Sequence, residues 1–263
     1  MNGQILTQLQ LREVFHLEFL RWFNKKVDAR FYAIKGGSNM RFFFKSIRYS
    51  EDMDIDIVKI GVHKLKEVVI GILENKDFQN GLRPFGIDDI VAPDMTKAKQ
   101  TQTTQRFKIH LSIVSGEDLF TKIEFSRRGF SGNVVVQPVL ETALRTYKMP
   151  PLLVPHYDIH STVVQKILAI SSRSVIQARD VFDLFILSSQ YVDVDAKNYN
   201  IDTKLFDKAY ENVFEIGFDR FRDTVVSYLS LEDQVMYNSS AVWDEIKIRV
   251  ANFIEGLKEK YGK

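Results

Sequence analysis

Residues 50–57 read Ser50-Glu51-Asp52-Met53-Asp54-Ile55-Asp56-Ile57, alternating acidic and apolar side chains with period two. On an extended strand, side chains two apart share a face. Asp52, Asp54 and Asp56 therefore project together, while Met53, Ile55 and Ile57 face the opposite, buried side. Carboxylates stacked along one face repel, and a fold tolerates them when a divalent cation, an Arg or Lys cluster, or water neutralises them. Hard oxygen donors grouped in this way suit Mg²⁺, which keeps several waters and completes its shell from substrate phosphates. A solvated strand face has the same pattern, and Asp52/Asp54 and Asp54/Asp56 have identical spacing. This stretch alone leaves both questions open.

Immediately upstream, a β-like run from Phe31 to Ile34 meets Lys35-Gly36-Gly37-Ser38, and Met40 to Phe44 has helical spacing. Glycines let the backbone approach an anion closely, a following helix offers free N–H groups to phosphate, and Ser38 can add a hydroxyl or cap the helix. A lone GGS is also an ordinary helix-entry turn. A strand–GGS–helix–strand unit whose second strand carries a DxD pair is more specific, because it gathers phosphate donors and metal ligands at one end of adjacent strands.

Further out, Leu11, Phe15, Phe19 and Trp22 or Phe23 recur at helical spacing within Ile5 to Lys26, and Val62 to Leu73 does the same. Strands are predicted at Asp52 to Val58, Ile87 to Ala92, Arg106 to Val114, Phe120 to Ser126 and Val134 to Gln137. After Pro150, Pro151 and Pro155 the pattern turns helical, over Ser161–Ser171, Ala178–Ser189, Lys204–Val213, Phe218–Leu229 and Ala241–Glu259. The charge changes at the same place. Residues 1–150 hold 23 Lys and Arg against 17 Asp and Glu, and residues 151–263 hold 13 against 17. The expected fold is α/β (α+β), with a mixed-sheet core over 1–150 and an α-helical half over 151–263. The basic half gives weak support for a polyanionic ligand such as a triphosphate or RNA.

Composition excludes several classes. With 45% hydrophobic and 27% charged residues, 13 Gly and 6 Pro, the chain is neither disordered nor collagen-like. Its longest stretch free of charge, Gly129 to Leu140, is far shorter than the ~20 residues a spanning helix needs. No secretory signal pattern opens the chain, so a cytoplasmic location without membrane association is expected. The absence of cysteine removes thiol nucleophiles and Cys-ligated zinc. The five His include no HExxH pair, and His156 and His160 read as a loop entering a helix.

The Lys35-Gly36-Gly37-Ser38 turn followed by Arg48-Tyr49-Ser50-Glu51-Asp52-Met53-Asp54 resembles the first motif of the DNA polymerase β nucleotidyltransferase superfamily. Its closest form is that of the AbiEii/AbiGii toxin family, where KGG(S/T) precedes R-x-S-x-D-x-D. A second patch, Gln165-Lys166-Ile167-Leu168-Ala169 with Arg173 and then Arg179-Asp180-Val181-Phe182-Asp183-Leu184, resembles that family's K-x-x-A-x-x-x-R…RDxxDL block. The resemblance runs from about Ala33 to Leu187. Asn39 and Met40 depart from the small and aliphatic residues common after the turn, and 190–263 match nothing specific.

The resemblance implies an Mg²⁺-dependent nucleotidyltransferase with a two-metal site. Asp52 and Asp54 would be the metal pair and Asp56 an extra acid. Glu124, in the alternating run Lys122-Ile123-Glu124-Phe125-Ser126, would be the third ligand or the base for the attacking hydroxyl. Gly36, Gly37 and Ser38 would cradle the NTP phosphates, and Lys166, Arg173 and Asp183 would take part in NTP binding, with the helical half completing the nucleotide site. Lys166 and Arg173 are seven apart and would share a helix face. The structural alternatives are a Glu124 paired with Lys122 or Arg106, an Arg179–Asp183 surface pair, and Asp180 and Asp183 that fix Lys166. Arg127 and Arg128 either meet RNA phosphate or solvate a turn. By resemblance the acceptor is RNA, the 3′ end of tRNA, and the partner a separately encoded antitoxin of a toxin–antitoxin or phage-defence pair. Transfer to a small molecule or protein, and a non-catalytic binding module, are the alternatives.

Overall fold

The computed structural model describes residues 6–91, 100–193 and 201–262, so the predicted element ends at Ile5 and Ala92 lie outside the described residues. The chain divides into two compact units, Met1–Phe43 with Tyr49–Tyr157 and Phe44–Arg48 with Asp158–Lys263. The first unit thus extends past the prolines at 150 and 151.

The first unit opens with α1 (Gln8–Asn24), started by a capping box in which Thr7 and Gln10 each satisfy the other's backbone N–H. Next come β1 (Tyr32–Lys35), α2 (Gly36–Phe43), β2 (Met53–Ile57), α3 (Val62–Leu73) and α4 (Lys76–Leu82). They are followed by β3 (Ile87–Val91), β4 (Thr104–Ile113), β5 (Asp118–Ser126), β6 (Val134–Pro138), α5 (Glu141–Thr146) and β7 (Leu153–Tyr157). The seven strands form one mixed sheet in the order β3-β4-β5-β2-β1-β7-β6. Its parallel pairs are β2 with β5 and β1 with β7, and the others are antiparallel.

One face of this sheet is the core. Ile55, Phe107, Ile109, Ile123 and Phe125 are buried there with Phe15, Phe19 and Phe23 of α1 and with Leu65 and Val69 of α3. Phe23 lies 5.5 Å from Phe125 and edge-on to Tyr32 at 5.0 Å. Each buried aromatic or aliphatic side chain contributes ~1.5–3 kcal/mol by leaving water. A buried Glu13 on α1 joins Arg41 Nε of α2 at 2.6 Å and Tyr147 OH at 2.5 Å, which ties the helix after the glycine turn to the core. Because side chains alternate, burying the apolar set fixes the acidic set of β2 on the other face.

The second unit is helical: α6 (Ile159–Ser172), α7 (Ala178–Ser188), α8 (Thr203–Phe214), α9 (Phe218–Thr224), α10 (Leu231–Tyr237) and α11 (Ser240–Tyr261). Phe221 stacks on Trp243 at 4.2 Å, and the Trp243 indole N–H donates to the Ile216 carbonyl at 2.9 Å. Asn212 of α8 donates to the Ile170 carbonyl of α6 at 2.8 Å. Among the described residues no helix is long and apolar enough to cross a membrane.

Candidate active site

The turn between β1 and α2 is built for glycine. Gly36 has φ +65°, and a Cβ placed on it would sit 3.0 Å from Asp54 Oδ2. A side chain there would be strained and would press on the carboxylate. Ser38 is buried, and its hydroxyl donates to the Asp52 carbonyl at 3.3 Å, beside Ser50, which donates to the same oxygen at 2.7 Å. The Ser38 hydroxyl ties the start of β2 to the glycine turn, and the Ser50 hydroxyl closes a local turn beside it.

Register then lines up charges across four strands. Lys35 is opposite Asp54, Asp54 is beside Glu124, and Glu124 is opposite Arg106. The next row toward the β2 N-terminus carries Asp52, Lys122 and Lys108. Lys122 Nζ reaches Asp52 Oδ2 at 2.7 Å, and Arg106 Nε reaches Glu124 Oε2 at 2.6 Å. Asp56 is fully engaged: Lys35 Nζ is 2.5 Å from one oxygen, and Tyr157 OH donates to the other at 2.6 Å. Tyr157 OH in turn accepts from the Ser131 amide at 2.9 Å.

Asp54 differs from both neighbouring acids. Among the described residues it has no hydrogen bond or ion pair of its own. Burial pushes its carboxyl above the ordinary range, Lys35 and Lys122 oppose that, and Glu124 and Asp52 push it further up. Asp52, Asp54 and Glu124 therefore share one end of the β2–β5 pair with Gly36, Gly37 and Ser38, whereas Asp56 is committed to Lys35 and Tyr157.

Among the described residues no three His, Asp or Glu side chains already converge as ligands around a point. Lys122 and Arg106 hold Asp52 and Glu124 instead. The donor set still fits a hard divalent cation. It is all carboxylate oxygen, and the central Asp54 is a half-buried acid whose ionisation its acidic neighbours oppose, a conflict that a nearby dication relieves.

The helical unit holds the remaining predicted residues. Lys166 Nζ is buried between Asp180 Oδ1, at 2.9 Å, and Asp183 Oδ2. Asp180 also pairs with Arg173, and Asp183 lies 3.6 Å from Arg48. Burial alone would lower the Lys166 pKa, but Asp180 and Asp183 outweigh it and raise it. Burial likewise opposes ionisation of Asp180, and Lys166 and Arg173 reverse that, leaving its carboxyl below the ordinary range. The two aspartates thus fix Lys166 as a cation. The expected shared helix face of Lys166 and Arg173 is corrected: Arg173 is the C-cap residue, with extended backbone at ψ 140°, and turns to Asp180. Asp183 is spent on Lys166 rather than on Arg179.

Arg127 is structural, since its guanidinium donates to Gln105 Oε1 at 2.8 Å and to the Ile60 carbonyl, while Arg128 is exposed. His156 lies in β7, stacked on Phe43 at 3.6 Å, with its ring nitrogens at Asn39 Oδ1 and Gln137 Oε1. Tyr157 lies outside the sequence motifs, and Lys35 and Arg48 belong to the first of them without an assigned role. Each is engaged through a strand or helix partner distant in sequence.

A model of the nucleotidyl transferase AbiEii toxin family, type IV toxin–antitoxin system, matches residues 19–245. The chain belongs to that family. Among solved structures it resembles an H. pylori protein at 20% identity and TM-score 0.55, with 98% of each chain covered. JHP933 from Helicobacter pylori matches at 17% identity and TM-score 0.51, with 97% of this chain and 99% of that one covered. MenT4, the nucleotidyltransferase toxin Rv2826c of Mycobacterium tuberculosis H37Rv, matches at 15% identity and TM-score 0.60, covering 94% of this chain and 84% of that one. At these identities the likeness is one of fold. No curated protein matches the sequence.

Proposed function

We propose that this AbiEii-family chain transfers a nucleoside monophosphate from an NTP to a hydroxyl of RNA, the 3′ end of tRNA, as the toxin of a toxin–antitoxin pair with a separate protein antitoxin. The observation that carries the reading is the juxtaposition of Gly36 with Asp54 and of Asp54 with Glu124. It gathers a close-approach backbone turn and three carboxylates at one strand end, which is what a triphosphate and a divalent cation require.

In this reading Asp52, Asp54 and Glu124 would hold Mg²⁺, which supplies charge neutralisation for the phosphates when bound. The amides of Gly36, Gly37 and Ser38 receive the outer phosphate oxygens. Glu124 accepts the proton of the acceptor hydroxyl as that oxygen bonds to the α-phosphorus, and the bond to pyrophosphate breaks in line. Arg106, paired with Glu124, orients that carboxylate. Lys166, kept charged by Asp180 and Asp183, is assigned to a nucleotide phosphate, with Arg173 in support.

The test is incubation of purified protein with Mg²⁺, each α-labelled NTP and total tRNA, beside Asp54→Asn and an RNA-free sample. Label joining RNA with the wild type alone supports the reading. NTP consumed without labelled RNA points to a small-molecule or protein acceptor, and no consumption points to a binding module.

A further inference from the structure

The acidic end of the sheet continues into a surface of a different character. On the same face, two residues outward from Arg106 and Glu124, Lys108 of β4 is the direct register partner of Lys122 of β5. Two residues further, His110 is the partner of Phe120. Like charges directly opposite on neighbouring strands destabilise a sheet. Lys122 is relieved by Asp52 at 2.7 Å, but Lys108 is exposed and has no anion among the described residues. Phe120, in mid-strand, is 60% exposed, and its ring stacks on His110 at 4.8 Å. The His110 ring is itself held by Asp118 at 2.6 Å.

A single exposed Phe needs no explanation, nor does a single Lys. Here an aromatic platform and a cation with no anion among the described residues lie on one strand face in line with the carboxylates. Phe120 is four residues from Glu124, ~13 Å at ~3.3 Å per residue. That distance spans at most about four stacked nucleotides at ~3.4 Å each. Positive charge that tracks a backbone, with an aromatic face for a base, is the combination that single-stranded nucleic acid binds.

We propose that the β4–β5 face seats the single-stranded end of the RNA acceptor, with Lys108 against a phosphate and the Phe120 ring under a base, so that the terminal hydroxyl is led toward Glu124. This rests on the reading of RNA as acceptor. Lys122, already on Asp52, links the two regions: a phosphate arriving beside Lys108 competes for it and frees Asp52.

The test measures binding of a short 5′-fluorescein single-stranded oligoribonucleotide to the full chain by anisotropy across a salt series. The wild type is compared with Phe120→Ala and Lys108→Ala, and transfer to tRNA is assayed in parallel. Phe120→Ala is expected to weaken oligonucleotide binding about tenfold. Lys108→Ala is expected to reduce the slope of log affinity against log salt by about 0.7, the value for one phosphate on a single strand. A duplex of the same sequence is expected to bind more weakly, because its bases are not free to stack on the ring. Oligonucleotide affinity unchanged in both variants, while the wild type still labels tRNA, would overturn the seat and leave the acceptor reading intact. So would duplex binding equal to that of the single strand. No oligonucleotide binding together with no tRNA labelling by the wild type would remove the acceptor reading and the seat with it.

Discussion

Asp54 and Glu124 are register neighbours on the parallel strands β2 and β5, and among the described residues only Glu124 of the two has a paired cation, Arg106 at 2.6 Å. Asp54 is left as a half-buried acid pushed above its ordinary range by loss of water and by Glu124 and Asp52. Such a placement costs stability when no cation is bound, because a charge partly removed from water without a partner is unfavourable. Asp54→Asn is therefore expected to raise the melting temperature by a few degrees, about 2–4 °C per kcal/mol for a chain of this size. The same substitution should lower nucleotidyl transfer by about 10³. Mg²⁺ should raise the melting temperature of the wild type and not of the variant, which scanning fluorimetry with and without the ion would read. A variant that melts lower than wild type and still transfers would remove Asp54 from the site.

Gly36 gives a second prediction. Its φ of +65° and the 3.0 Å approach of a built Cβ to Asp54 Oδ2 mean that Gly36→Ala meets two penalties at once. The left-handed backbone costs ~1–2 kcal/mol for an L residue, and relief of the contact displaces the Asp54 carboxylate. Transfer should fall by about a hundredfold, the scale of a misplacement near 1 Å. Chemical unfolding should show only the modest backbone loss. Gly61→Ala, where a Cβ would meet nothing within 4 Å and φ is −63°, is the matched control.

Much of this arrangement is legible in the amino-acid pattern, because period-two alternation is strict where one sheet face is buried. Strands β2, β4 and β5 and helix α3, at Val62–Leu73, lie where the pattern places them. Strand β7 is hidden by Pro155, which reads as a breaker. It forms nevertheless, because its antiparallel pairing with β6 runs from Val134–Tyr157 to Pro138–Leu153, while its pairing with β1 is centred on Ile34 and His156. Helices α4, α5 and α10 have seven residues or fewer, too short for a 3.6-residue period to stand out. The run predicted over Phe218–Leu229 breaks at Val225 into a 3₁₀ turn. In the site, the acids are legible and their partners are not. Tyr157 and Asp56 are 101 residues apart, and Lys122 meets Asp52 only through the β2–β5 register.

His16 supplies a pH prediction. Its Nε2 lies 2.8 Å from Thr121 Oγ1, and that hydroxyl already donates to the Glu51 carbonyl at 2.7 Å. The imidazole must therefore donate, as the neutral Nε2–H form. Burial, then the nearby Arg12, lowers its pKa from 6.5 to about 3. The folded state thus refuses a proton that the unfolded state takes up near 6.5. Stability is full above that value and falls as the pH drops toward about 3, at up to about 1.4 kcal/mol per pH unit. His16→Gln keeps a donor for Thr121 and should flatten that part of the slope in denaturant titrations across this range. An unchanged slope would mean that the ring titrates normally in the fold.

Lys166 carries the last prediction, because its two possible roles separate experimentally. Its ammonium neutralises Asp180 and Asp183, both buried, while Arg173 and Arg48 sit on the outer oxygens. Lys166→Met leaves two carboxylates without their central cation, a change that costs ~3–5 kcal/mol. Because Asp180 is held below its ordinary 3.8, its contribution is present above that value and lost as the pH falls through the lowered one. The variant should lose the part of that acid-range dependence that Lys166 supplies, Arg173 keeping the rest, along with its stability. In Lys166→Met/Asp183→Asn one of the stranded charges is gone, and part of the lost stability should return in thermal unfolding. If Lys166 serves a nucleotide phosphate, transfer stays lost in the double variant although the fold is restored. If Lys166 only braces α6 against α7, transfer returns with stability, and the phosphate role is excluded.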